Sequence, residues 1–210
     1  MNVDKIVIAG IGTEVGKTII SSIVVEALQA DYWKPVQAGD LVFTDTDRVK
    51  SLVSNPKSFF HPEAIRLIHP MSPHASAKKE GIEIDIEKII LPNTSNKLVI
   101  ELAGGLMVPL NERVLNIDLL KKWKAPVILV SRHYLGSINH TLLSVSALAQ
   151  FGIPIAGIIF NGNENLSTER VILNYSRIPF IGRMDDEGSI NSETIKRYAV
   201  KLKEKLNKIQ

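Results

Sequence analysis

A chain of 210 residues, 45% hydrophobic and 22% charged, is long enough to bury one sizeable core and too apolar to remain disordered, so a single domain over 1–210 is expected. Its 25 basic and 22 acidic side chains leave a net charge of +3, too small and too scattered to mark a nucleic-acid-binding surface. Cysteine is absent, which excludes disulfides, thiolate nucleophiles and cysteine-ligated zinc or iron–sulfur centres and agrees with a reducing compartment.

The opening stretch MNVDKIVIAG enters a strand at once, without the basic and apolar succession of a secretion signal. No run approaches the length of a membrane span, so a cytoplasmic protein without a membrane partner is the expectation. Short apolar runs then follow at 5–10, 32–37, 97–104, 126–131, 155–161 and 179–182. Most are apolar on both faces, as parallel strands covered on either side by helices require. Helical stretches are read at 17–29, 45–54, 116–123, 138–151, 167–176 and 192–208. In the last, Ile195, Tyr198, Ala199, Leu202, Leu206 and Ile209 form one apolar stripe, with lysines opposite. Prolines at 56, 62, 70, 73 and 92 break up 55–96, which reads as loops and short helices. Alternating strands and helices predict an α/β fold: a doubly wound, mostly parallel sheet with helices on both faces, in which ligands collect beyond the carboxyl ends of the strands.

The first strand leads into IAGIGTEVGKT (8–18) and then an apolar helix. Glycines permit a tight turn and let backbone N–H groups face an anion, and the new helix adds its positive end. Lys17 would reach the β- and γ-phosphates of a nucleotide, and the Thr18 hydroxyl would ligate magnesium. Ile11 holds the usual first-glycine position of a phosphate loop, and Gly12 follows it. A plain turn would also use these glycines, but strand, turn, Gly-Lys-Thr and helix together are the context the motif demands.

Further candidates lie at strand ends. Glu101 closes an apolar run before Gly104 and Gly105, where a buried carboxylate needs a partner such as Mg²⁺. Asp45 and Asp47 open a helix, and capping alone would explain Asp45. Lys34, ahead of Pro35, could hold a second anion facing the γ-phosphate. Gly136 and Ser137 open another helix whose free N–H groups suit a carboxylate, although an ordinary serine cap would look the same. The five histidines show no metal-ligand spacing. FNGN (160–163) lacks the aspartate of a guanine-reading motif, so Asn161 is read as an adenine contact.

In combination and order, GTEVGKT, KPVQAG, SPHAS, ELAGGLMVPL, LGSINH and FNGN resemble the dethiobiotin synthetases, from residue 6 to about 183. The resemblance implies a P-loop NTPase-like fold and an ATP-dependent cyclo-ligase of biotin biosynthesis, converting 7,8-diaminononanoate, carbon dioxide and MgATP to dethiobiotin, ADP and phosphate through a carbamate and a carbamic-phosphoric anhydride. It implies an ATP site over Gly12, Thr13, Glu14, Val15, Gly16, Lys17 and Thr18 with Asn161 at the adenine, and a Mg²⁺ site of Thr18, Asp47 and Glu101. Lys17, Lys34 and Thr13 would act on the reacting groups. Thr13, Lys34 and Gly105 would face the substrate, and Ser137, Ile138 and Asn139 would receive its carboxylate across a homodimer interface. The sequence departs from many relatives in Ala38, where a hydroxyl residue is common, in Leu102, in Arg132 to Tyr134 and in IGRMDDEG. Two other readings compete: a partitioning or metallocluster-assembly ATPase, which would carry an extra lysine early in the loop, and a non-enzymatic ATP-binding regulatory module, which would have no use for Lys34.

Overall fold

A computed structural model describes residues 4–209. Its strands are β1 (Lys5–Gly10), β2 (Asp31–Trp33), β3 (Val36–Ala38), β4 (Phe60–His61), β5 (Ile65–Leu67), β6 (Leu98–Gly105), β7 (Val127–Arg132), β8 (Ile155–Asn161) and β9 (Phe180–Met184). Its helices are α1 (Lys17–Leu28), α2 (Asp45–Leu52), α3 (Pro73–Glu80), α4 (Asn116–Trp123), α5 (Ser137–Gln150), α6 (Leu166–Ser176) and α7 (Ser192–Leu206).

Seven strands form one parallel sheet in the order β4-β2-β6-β1-β7-β8-β9. Successive side chains of a strand leave opposite faces, and β1 shows the consequence. Ile6 and Ile8 enter the core beneath α1 and α7, whereas Val7 and Ala9 enter the core beneath α4. Both faces are therefore covered, which is why the strands read as unbroken apolar runs rather than alternating ones. The same parity in β6 sends Leu98, Ile100 and Leu102 to one core and Val99 to the other. Glu101 shares the parity of Val99 and so points at α1. The α7 stripe also buries as expected, with Ile195, Tyr198, Ala199, Leu202 and Leu206 in the α1-side core.

The expected strand over 32–37 is two strands in two sheets. Pro35 has no N–H to continue the ladder. Its carbonyl instead accepts from Ile65 N at 3.0 Å, and β3 pairs with β5 in a separate two-stranded parallel sheet. The proline-rich segment, expected as loops and short helices, holds β4, β5, the helix α3 and one 3₁₀ turn at Ile86–Lys88; Pro73 starts α3 rather than breaking it, because the first helical position lacks an N–H partner in any case. Among the described residues no helix is long and apolar enough to cross a membrane.

Candidate active site

β1 and α1 meet through residues 11–16, and neither Gly10, which ends β1, nor Gly16 tolerates a side chain. A Cβ on Gly10 would come within 2.6 Å of Val15 Cγ2 and 2.9 Å of Gly12 O. Gly16 has φ +91°, and a Cβ there would overlap the amide of Asn161. Gly16 caps α1 without a side-chain acceptor, and no acidic residue lies in the first turn, so the positive end of the helix is left for an anion. Lys17 arches back over the loop, and its Nζ donates to Gly12 O at 2.8 Å. Burial pulls its pKa down to about 8 against the opposing attraction of Glu101, with Lys34 repelling it further.

Glu101, fully buried, is surrounded by donors. Its Oε2 accepts from Ser21 Oγ at 2.8 Å and Tyr32 Oη at 2.9 Å, and its Oε1 from Thr18 Oγ1 at 2.9 Å and Lys34 Nζ at 3.1 Å. Burial and then the Glu101 charge hold the Tyr32 phenol well above its ordinary pKa, fixing it as a donor. Thr18 Oγ1 is also 2.9 Å from Asp45 Oδ1. One hydroxyl proton cannot serve both carboxylates, so Thr18, Asp45 and Glu101 present more oxygen acceptors than protons to fill them. That hard oxygen set fits Mg²⁺, which is held by one or two carboxylates together with phosphate oxygens. Among the described residues no cluster of three or more His, Cys, Asp or Glu side chains offers an alternative metal centre.

Lys34, 6% exposed, sits 2.6 Å from Asp45 Oδ2 as well as against Glu101. Burial would discharge the ammonium, but Glu101 and Asp45 outweigh it and raise the pKa above lysine's ordinary value. Burial likewise opposes ionisation of Asp45, and Lys34 overcomes it, so the carboxyl titrates below its usual range.

Asp47, expected at the metal, is engaged in capping α2. It is exposed, and its Oδ2 accepts from Thr44 N and Thr44 Oγ1, both at 2.9 Å, while Asp47 N donates to Thr44 Oγ1 at 3.2 Å. This reciprocal capping box ties the third helical residue to the cap, whereas Asp45, first in the helix, turns inward. The Thr-x-x-Asp spacing of Thr44 and Asp47 carried that signal. Ser21 and Tyr32, which hold Glu101, had no comparable mark in the sequence.

Thr13, Glu14, Gly16, Lys17, Thr18 and Lys34 border a cleft of about 810 Å³ that also reaches Asp45 and Glu101. Gly12 and Gly105 pack against each other, with the Cβ position of Gly105 3.6 Å from Gly12 Cα, and neither borders this cleft. Val15 packs in the core below. Asn161 Nδ2 donates to Val15 O at 3.0 Å, so this amide braces the phosphate loop. Ser137, Ile138 and Asn139 do not line this cleft. Ser137 is buried at the start of α5, Ile138 packs against the cluster of Ile158, Phe160 and Ile172, and Asn139 is exposed.

The family profile described as AAA domain matches residues 4–194. The ATP-dependent dethiobiotin synthetase BioD of Christiangramia forsetii is 53% identical over 96% of this chain and 97% of its own length. The protein of the same name from Cytophaga hutchinsonii is 47% identical over 94% and 96%. Among solved structures, a ParA family ATPase from Chlorobium tepidum superposes with a TM-score of 0.61 at 15% identity, covering 95% of this chain and 99% of that one. A plasmid partition protein from Borrelia burgdorferi gives 0.59 at 13%, covering the whole of both chains. These two likenesses are of fold: the P-loop NTPase-like sheet.

Proposed function

The chain belongs to the family of ATP-dependent dethiobiotin synthetases, and on that premise we propose that it closes the ureido ring of dethiobiotin from 7,8-diaminononanoate, carbon dioxide and ATP, releasing ADP and phosphate. The observation that carries this reading is the pairing of two buried lysines, Lys17 and Lys34, over the oxygen set of Thr18, Asp45 and Glu101. The reaction brings two anions together, a carbamate on one substrate amine and the triphosphate, and their repulsion must be offset. Lys17 and the amino end of α1 hold the β- and γ-phosphates, and Lys34 faces the carbamate and the phosphoryl group in transfer. Mg²⁺, held by Thr18, Asp45 and Glu101, would neutralise charge developing on the phosphate oxygens. The carbamate oxygen attacks the γ-phosphorus, ADP leaves, and a carbamic-phosphoric anhydride forms. The second amine then attacks the anhydride carbonyl, phosphate departs and the five-membered ring closes. No protein nucleophile is required, and positioning supplies much of the rate.

Thr13 on the cleft wall and the Gly105 backbone face the substrate in this reading, and Asn161 reaches the adenine side. Because Ser137, Ile138 and Asn139 stand apart from the cleft of their own chain, the reading has them serve a second copy, receiving the substrate carboxylate across a homodimer interface. A cytoplasmic location accompanies it. A partitioning-type ATPase is less well supported, because the loop offers Gly12, Thr13 and Glu14 and no early lysine.

The test is incubation of the purified protein with diaminononanoate, bicarbonate and MgATP, followed by mass spectrometry. The cyclic urea should appear, and ADP release should depend on the diamine. ATP hydrolysis indifferent to the diamine would reject the reading.

A further inference from the structure

Four buried side-chain atoms of the described residues have no hydrogen-bond partner: Gln37 Oε1, His74 Nδ1, Trp123 Nε1 and His133 Nδ1. Of these residues, Gln37 is the one that borders the cleft described above. Strand alternation places it there: Val36 is in the core beneath α4 and Ala38 packs against that core, so the residue between them faces the other way. Gln37 is 3% exposed, and its Nε2 donates to Gly39 O at 3.0 Å. That contact fixes the amide orientation, because the flipped rotamer would set two oxygens against each other. The carbonyl oxygen is therefore committed to the other side, sheltered from bulk water and lacking a donor. A buried acceptor in that state destabilises the protein until a donor reaches it.

Apart from Gln37 and the hydroxyls of Thr13, Thr18 and Ser72, the polar side chains bordering the cleft are charged. Phosphate, carboxylate and carbamate oxygens only accept hydrogen bonds, so none of them can satisfy a carbonyl. Ala38, which also borders the cleft, has no side-chain hydrogen-bonding group. The adenine amine of ATP belongs on the Asn161 side in the reaction proposed above, so the reactant that brings N–H donors to this part of the cleft is the diamine. We infer that Gln37 Oε1 accepts a hydrogen bond from a substrate amine, making Gln37 a specificity-determining residue for the diamine, separate from the groups that hold the nucleotide. This inference rests on the reaction proposed above.

Replacing Gln37 with Leu removes the acceptor at similar volume. The expected result is a KM for the diamine raised about tenfold, the effect of one lost hydrogen bond, with ATP affinity by calorimetry within twofold of the parent. A diamine KM unchanged in Q37L, alongside unchanged ATP affinity, overturns the inference while leaving the reaction standing. A parent protein that forms no cyclic urea overturns the reaction and this inference with it. Should Q37L not fold, the unaltered protein gives the answer by ¹⁵N NMR. The Gln37 side-chain amide resonances should shift when the diamine is added to the MgADP complex, and should not shift with nonanoate, which lacks amines. Resonances indifferent to the diamine refute the contact.

Discussion

Asp45 Oδ2 lies 2.6 Å from Lys34 Nζ, so the first residue of α2 is locked to the lysine that follows β2. The same ammonium is 3.1 Å from Glu101 Oε1, which makes one buried cation the neutraliser of two carboxylates. Exchanging Lys34 for Met would strand both charges. The expected loss is about 3 kcal/mol of stability, by urea unfolding without nucleotide, because an unpaired buried carboxylate is far costlier than a buried pair is favourable. In a Glu101→Gln background the same exchange should cost much less. Equal losses in both backgrounds would show that Lys34 and Glu101 are not coupled. Turnover should fall at least a hundredfold in Lys34→Met while MgATP still binds, since a phosphate-side cation acts on the transition state.

The two aspartates of α2 divide their labour, and exchanging each for Asn separates the roles. Asp45→Asn should weaken Mg²⁺ binding to the nucleotide complex and depress turnover at fixed Mg²⁺, with partial recovery at high Mg²⁺, because a charged ligand is lost. Asp47→Asn should leave the Mg²⁺ dependence unchanged and lower stability by about 1 kcal/mol through the weakened capping box. A Mg²⁺ titration of turnover, set beside thermal melting, reads both. The reverse pattern would return Asp47 to the metal.

Much of this was legible in the sequence because local chemistry and fold agree there. The apolar runs of β1, β6, β7 and β8 are continuous since both faces are covered, and Gly10 and Gly16 on either side of the loop are demanded by contacts. The split at Pro35 was less visible, because the apolar character of YWKPVQ continues across it while the hydrogen-bond partners change sheet. The inward turn of Asp45 depends on helix phase, one position deciding between a carboxylate that caps and one that faces Thr18. Residues that act through distance in the chain were hardest to find: Tyr32 and Glu101 are 69 positions apart, and nothing local to either announces the pairing.

Lys17 provides a pH test of the phosphate site. Its pKa stands near 8 in the folded protein because burial disfavours the ammonium, against an ordinary value of 10.5 in the unfolded chain. The unfolded chain therefore binds more protons between about pH 8 and 10.5, and stability without nucleotide should rise with pH across that window, the cost of the buried charge being fully present below it. Nucleotide binding shifts the balance the other way, since phosphate oxygens beside Nζ favour the charged form. At pH 9, where the phosphates are already ionised, ATP binding should take up close to one proton, and at pH 7 almost none through this group. Calorimetry in two buffers of different ionisation enthalpy measures the uptake. Lys17→Met should abolish the uptake as well as most of the affinity. Binding enthalpies that do not depend on buffer at pH 9 would mean that Lys17 does not change its charge on meeting the nucleotide, and its place over the γ-phosphate would have to be given up.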